Sequence, residues 1–294
     1  MRGLACLASV VAAAVSLGAA LDVDTPAAHN ERALEHHLRR CLDDASREYD
    51  RVLELDPPRE LRDDEWRVLE RLVPRVFVTT TEPFGLKDFA AVLHPAARLV
   101  AFHFFWDDDV DFPDDNDPCD HEVAWIRYGP DGASVEAMWT YFHGRILSGG
   151  PAALEDARRH AMRARVNVQW GKHGSLPVGW ARLRIEAHAD EAEAGFVPVG
   201  RPVTVGRYMQ GAFRKLSTAG ARMADHPLAR RGRWPSRFAG TWDEFVDFSR
   251  PADAAALLRD RRMALVSRWN SAVINRRFLT YNFRPKTEWP PGAE

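Results

Sequence analysis

The chain has 294 residues, of which 46% are hydrophobic and 28% charged, and its 40 basic and 42 acidic side chains leave a formal net charge of -2. Such a composition excludes wholesale disorder and a collagen-like repeat. Near-neutral charge also argues against nucleic acid as the main partner, because neutralising phosphates needs a basic excess.

The N-terminus reads as an export signal over residues 1–20. Arg2 supplies the positive start, Leu4 to Leu17 is apolar, and Gly18-Ala19-Ala20 offers small residues for cleavage. The alternative is a buried or anchoring N-terminal helix, since the run is shorter than the ~20 residues that span a bilayer. Removing the signal removes Cys6 and leaves Cys41 and Cys119, either a disulfide pair or two separate thiols. No transmembrane span remains after that removal.

From His29 to Leu55 one apolar stripe recurs at helical spacing, predicting a helix stopped by Asp56-Pro57-Pro58. A shorter amphipathic helix is expected over Asp63 to Leu72, so residues 21–74 read as a helical segment packed on a β-rich domain of residues 75–294. β-branched and aromatic runs then predict strands at Arg75 to Thr80, Arg98 to Trp106 and His121 to Tyr128. Gly129-Pro130-Asp131-Gly132 is a turn signal, and Ser134 to Leu147 is its return strand. A helix over Ala152 to Ala164 and a strand over Arg165 to Trp170 follow, the latter running into a glycine-rich turn. Gly195 to Gly206 reads as loop or edge strand, Trp242 to Phe248 and Pro251 to Arg261 as helices, and Met263 to Val273 has no clean period. The fold class expected is α+β, a central antiparallel β-sandwich flanked by an N-terminal helix and C-terminal helices.

The chemistry concentrates between Phe102 and Glu122, with eight aspartates from Asp107 to Asp120. Like charges so closely spaced repel, which raises their pKa values or calls for a compensating cation. Calcium and magnesium take several carboxylate oxygens from a flexible loop. The EF-hand spacing is absent, and the alternative is a solvated acidic loop or one paired with arginines. On a strand beginning at His121, Asp120 and Glu122 point to one face and His121 to the other, where it is a core histidine. Two carboxylates on one face suit a hard metal or an acid–base pair. Asp107, Asp109 and Asp117 lie on the loop that would complete the site. His173, between glycines in Gly171-Lys172-His173-Gly174-Ser175, is a candidate ligand, general base or turn residue. His103 and His143 read as packed histidines. No G-x-S-x-G elbow, phosphate loop, dinucleotide fingerprint or H-E-x-x-H helix occurs.

The aromatic strand, the acidic loop, Asp120-His121-Glu122 followed by Val123-Ala124-Trp125-Ile126, and the later Trp170-Gly171-Lys172-His173-Gly174-Ser175 resemble the necrosis- and ethylene-inducing-peptide-like proteins. They also resemble the related vacuolar-protein-sorting family called Vps sixty-two. The resemblance implies a central β-sandwich, a divalent-cation site and, for the toxin members, secretion and recognition of membrane glycolipid head groups. The family's Gly-His-Arg-His-Asp-Trp-Glu segment places its Asp and Glu on Asp120 and Glu122, its Trp on His121 and its later His on His173. The two histidines of that segment are replaced here by Asn116-Asp117-Pro118-Cys119.

Together these features predict an exported protein that binds calcium or magnesium through Asp107, Asp109, Asp117, Asp120, Glu122 and His173 and recognises a glycolipid or carbohydrate head group. The alternatives are a metal-dependent hydrolase of a glycan or phosphoester, with His173 or Glu122 as the catalytic group, and an exported structural domain without a ligand site.

Overall fold

A computed structural model describes residues 24–110, 120–186, 201–218, 235, 237–278, 286 and 289–292. The expected export signal, Asp117 and Cys119 lie outside the described residues. Among those described are eight α-helices and twelve strands. Helices α1 (Pro26–Leu38), α2 (Leu42–Leu55) and α3 (Asp63–Leu72) come first. Strands β1 (Arg75–Val78), β2 (Leu86–Leu93), β3 (Leu99–Trp106), β4 (His121–Tyr128), β5 (Val135–Phe142) and β6 (Arg145–Ser148) follow. Helix α4 (Pro151–Arg159) leads to β7 (Arg165–Val168), β8 (Ser175–Pro177), β9 (Arg184–Ile185) and β10 (Val203–Thr204). The chain continues through α5 (Val205–Thr218), α6 (Trp242–Phe245), β11 (Arg250–Ala252), α7 (Ala254–Arg261), β12 (Ala264–Val266) and α8 (Asn270–Phe278).

The helix expected over His29 to Leu55 is two helices. Arg40 N donates to His37 O and Cys41 N to His36 O, each at 2.9 Å, with Arg40 in the left-handed region at φ 62°. These are the paired bonds of a Schellman ending, whose left-handed residue is ordinarily glycine. Arginine in that place hid the break. Upstream, Pro26 opens α1 and the Thr25 hydroxyl caps it by accepting from Ala28 N at 3.3 Å. Helices α1 and α2 pack through Ala33, Ala45, Tyr49 and Val52 against Ala272 of α8. Tyr49 ties the three together, its hydroxyl 3.2 Å from His37 Nδ1 and accepting from Asn275 Nδ2 at 2.9 Å.

Two sheets share one apolar core. The larger runs β12-β2-β3-β4-β5-β6 and the smaller β11-β1-β7-β8. Even-numbered residues of β3 and β4 (Phe102, Phe104, Trp106, Ala124, Ile126) meet Val76, Val78, Val166 and Val168 of the smaller sheet. Strand β3 is buried along all eight residues because it lies centrally with both faces covered, which is why it reads as a continuous aromatic run. The pairing is mostly antiparallel, but β1–β7 and β12–β2 are parallel. Each of those pairs is joined by a long crossover, the geometry that parallel strands require.

The single return strand expected over Ser134 to Leu147 is instead a hairpin: the chain reverses at His143-Gly144, both left-handed, and β6 pairs antiparallel with β5. The turn before it is as read: Asp131 Oδ1 accepts from Ala133 N and Ser134 N at 3.1 and 3.0 Å. No element is expected from the sequence over β2 or α5, although Val205, Tyr208, Met209, Ala212 and Leu216 of α5 recur at helical spacing and form its buried face. Their sequences, Leu-Lys-Asp-Phe-Ala-Ala-Val-Leu and a run broken by Gly206 and Gly211, mix helix and strand formers. Towards the C-terminus the expected helix Trp242 to Phe248 is one turn, capped by Thr241 Oγ1 accepting from Glu244 N. Arg250–Ala252 pairs with β1, so α7 starts only at Ala254, where Asp253 caps it by accepting from Ala256 N at 2.9 Å.

Candidate functional site

At one end of the sandwich three connections converge: the β1–β2 loop, the loop between β3 and β4, and the β7–β8 turn. The β3–β4 ladder continues one bond past the strands, Trp106 N donating to Asp120 O at 2.9 Å, so the acidic loop leaves from a fixed root. Asp107 is clamped on Gly85, accepting from its N–H at 2.9 Å and donating its own N–H to Gly85 O at 3.0 Å. A Cβ at residue 85 would stand 2.8 Å from Asp107 Oδ2. Val110 N donates to Gly171 O at 2.7 Å, which docks the same loop on the β7–β8 turn.

Strand alternation sends Asp120 and Glu122 into the interior beside Trp106, as expected from the sequence. His173 reaches them from the opposite sheet. Its backbone is left-handed, at φ 52°, and held by its own N–H donating to Gln169 O at 3.0 Å. The fully buried ring lies between two carboxylates, with Nδ1 3.2 Å from Asp120 Oδ2 and Nε2 3.3 Å from Glu82 Oε1. Glu82 is itself fixed, accepting from Phe84 N at 3.2 Å and Gly171 N at 2.8 Å.

An imidazole with a carboxylate at each nitrogen donates from both, so it is a cation. Burial works against that charge, yet the bonds to Asp120 and Glu82 prevail and raise its pKa to about 10. Asp120 shows the reciprocal effect. Burial opposes its ionisation, but the His173 hydrogen bond and the charges of His173, Lys286 and His143 hold it below the usual carboxylate range. Burial pushes Glu122 well above that range, with Lys286 pulling it down and Asp120 pushing it further up. Glu122 Oε1 lies 3.6 Å from Lys286 Nζ, which in turn sits 4.2 Å from the centre of the Tyr141 ring. Glu122 Oε2 is buried and has no hydrogen-bond partner among the described residues.

His121 points to the other face, as expected, stacked on Phe105 with centroids 4.7 Å apart. His103 is packed there too, its Nδ1 2.9 Å from His121 Nε2 and its Nε2 2.7 Å from Asn270 Oδ1. Burial depresses the pKa of His103 to about 4. His143 bonds Gln169 Oε1 through Nε2.

The structure therefore brings Asp120, Glu122 and His173 into one electrostatic cluster. Asp107 turns to Gly85, and Asp108 Oδ1 accepts from Asp109 N at 2.9 Å. Among the described residues, no three donors drawn from Asp107, Asp109, Asp120, Glu122 and His173 gather within the 4.8 Å that one shared ion would need. The donors fit a hard cation in part. The orphaned Glu122 oxygen beside the Asp120 carboxylate suits it, whereas His173 has both nitrogens turned to carboxylates. Glu82 and Lys286 escaped sequence reading. Glu82 is a single acid in a Thr-Thr-Thr-Glu-Pro turn, and the one hint for Lys286 is that only four lysines occur among 40 basic residues.

Fold and site together define an α+β protein, two main sheets over one core with no closed barrel among the described residues, carrying a buried charged cluster at one end. No protein-family model matches the chain, and no curated protein matches its sequence. Among solved structures it is similar to the crystal structure of Necrosis and Ethylene inducing Protein 2 from the causal agent of cocoa's Witches Broom disease. That likeness has 12% identity and a TM-score of 0.26, and it covers 41% of this chain and 73% of the other. A likeness at that level carries no functional weight, and no match falls in the Vps sixty-two family. No helix among the described residues is long and apolar enough to cross a membrane.

Proposed function

We propose that this is an exported sandwich protein that holds calcium or magnesium at Asp120 and Glu122 and through it binds a hydroxyl-bearing head group, of a glycolipid or a carbohydrate. The observation that carries the reading is the buried Glu122 Oε2, unpartnered among the described residues, close enough to the ionised Asp120 carboxylate to feel its charge. A buried acceptor left unpaired costs about 1–3 kcal/mol, which a bound cation removes. When bound, such an ion supplies open coordination positions to ligand hydroxyls and keeps several waters of its own.

The chain's own residues do the remaining work. Trp106 and the root bond to Asp120 O fix where the acidic loop begins. His173 holds the Asp120 carboxylate in one orientation by donating to Oδ2, leaving Oδ1 to accept from His121 N at 2.9 Å. Lys286 balances Glu122 on its other oxygen. A base for hydrolysis must be free to accept a proton, and His173 is protonated at neutral pH, so its part here is to hold and orient.

Thermal denaturation with calcium, with magnesium and with chelator tests the reading. An ion at 100 times its Kd adds about 2.7 kcal/mol to the stability of the wild type. Asp120→Asn and Glu122→Gln each abolish that gain. A wild-type melting curve unchanged by both ions and by chelator removes the cation site and leaves a structural domain.

A further inference from the structure

The turn between α1 and α2 brings together three side chains that the cluster above does not use. One ligand atom each from His36, Cys41 and Asp44 lies within 4.8 Å of the others, and all three residues are half-buried. We propose that this turn is a zinc-class metal site, taking one divalent transition metal through the His36 imidazole, the Cys41 thiolate and an Asp44 carboxylate oxygen.

Backbone geometry explains the convergence. The Schellman bond from Cys41 N to His36 O, at 2.9 Å, sets the cysteine against the last turn of α1. Cys41 is then the N-cap of α2 and Asp44 its third helical residue. Side chains at those two positions face each other, as they do in a capping box. The sulfur makes no capping bond to the helix, and its contact is with Arg39 O at 3.9 Å. Among the described residues Cys41 forms no disulfide.

The donor set selects the metal. Sulfur with imidazole nitrogen and one carboxylate oxygen suits a borderline ion with tetrahedral preference, whereas calcium and magnesium take oxygen. Three protein ligands leave a fourth position for water. Binding deprotonates the thiol, the proton passing to solvent as the metal–sulfur bond forms. Asp44 is paired with Arg47 in an exposed i,i+3 contact, and Arg39 is engaged with Glu35 at 2.6 Å. The first pair must open for the metal to bind, and exposed pairs of this kind are weak. His37, one residue from His36, faces inward to Tyr49 and takes no part.

Cobalt titration of the full reduced chain provides the test, read by thiolate-to-cobalt charge-transfer absorption, with zinc competing it away. One equivalent saturates the wild type. Cys41→Ser abolishes the absorption while keeping the wild-type circular dichroism, and His36→Ala weakens binding by about tenfold or more. Asp120→Asn and Glu122→Gln leave the cobalt signal intact, which separates this site from the calcium or magnesium reading. Absence of the absorption in wild type, its persistence in Cys41→Ser, or a Cys41–Cys119 disulfide in the isolated protein overturns the proposal.

Discussion

The imidazole of His173 lies flat on the indole of Trp106, ring centres 4.6 Å apart and planes 6° from parallel. A cation on an aromatic face, with a carboxylate at each nitrogen, needs no further partner, and every group in the set depends on its charge. Removing the ring leaves Glu82 and Asp120 buried against apolar surface without their shared cation. His173→Ala therefore costs about 3–5 kcal/mol, the range for breaking a buried pair from one side. Urea denaturation of the variant reads the loss directly, and a cost below about 1 kcal/mol contradicts the buried ion triad.

Stability falls on both sides of neutrality, for opposite reasons. His173 has its folded pKa raised to about 10, above the ordinary 6.5, so its contribution is complete below about 6.5 and is lost as pH rises towards 10. His103 has its folded pKa lowered to about 4, so the unfolded chain binds the extra proton and stability falls as pH drops from about 6.5 to about 4. Denaturant midpoints from pH 4 to 10 should form a dome. His103→Gln should flatten the acid limb and leave the alkaline one.

Lys286 and Glu122 should be energetically coupled. Lys286→Met leaves the Glu122 carboxyl buried without its cation, and Glu122→Gln leaves the ammonium over Tyr141 without its carboxylate. Each single change destabilises, and the double variant recovers part of the sum, with a coupling of about 0.5–3 kcal/mol. Additive losses would mean that the 3.6 Å contact carries no net interaction.

Arg40→Gly should stabilise the protein. Arginine at φ 62° carries a left-handed penalty of about 1–2 kcal/mol. Glycine avoids it but raises unfolded-state entropy by about 0.5–1 kcal/mol. The expected net gain is about 0.5–1 kcal/mol, visible as a higher melting temperature. A lower one would assign Arg40 a contact worth more than the strain.

Legibility followed the range of the interaction that fixes each feature. The β4–β5 turn was readable because Asp131 and Gly132 supply its bonds and its positive φ locally. Strand β3 was readable because eight consecutive buried residues need no partner to declare them. The break at Arg40 was hidden, since the packing of α1 on α2 imposes a conformation for which the residue has no preference. β12 and α8 were hidden too, because Met263 to Val273 gains its order from Ala91, Val92 and Leu93 and from Tyr49, all distant in the chain.

The sequence by itself determined that Asp120 and Glu122 share a face, that His121 takes the other, and that His173 sits in a turn where backbone approaches closely. Those follow from the two-residue period of a strand and from flanking glycines, which are local facts. Only the tertiary structure decided that His173 lies between Asp120 and Glu82, and that Lys286 stands against Glu122. Such partners come from loops far apart in the chain. In a buried site the charge state of each group depends on the distances and solvent exclusion that folding sets, not on the identity of its neighbours in sequence.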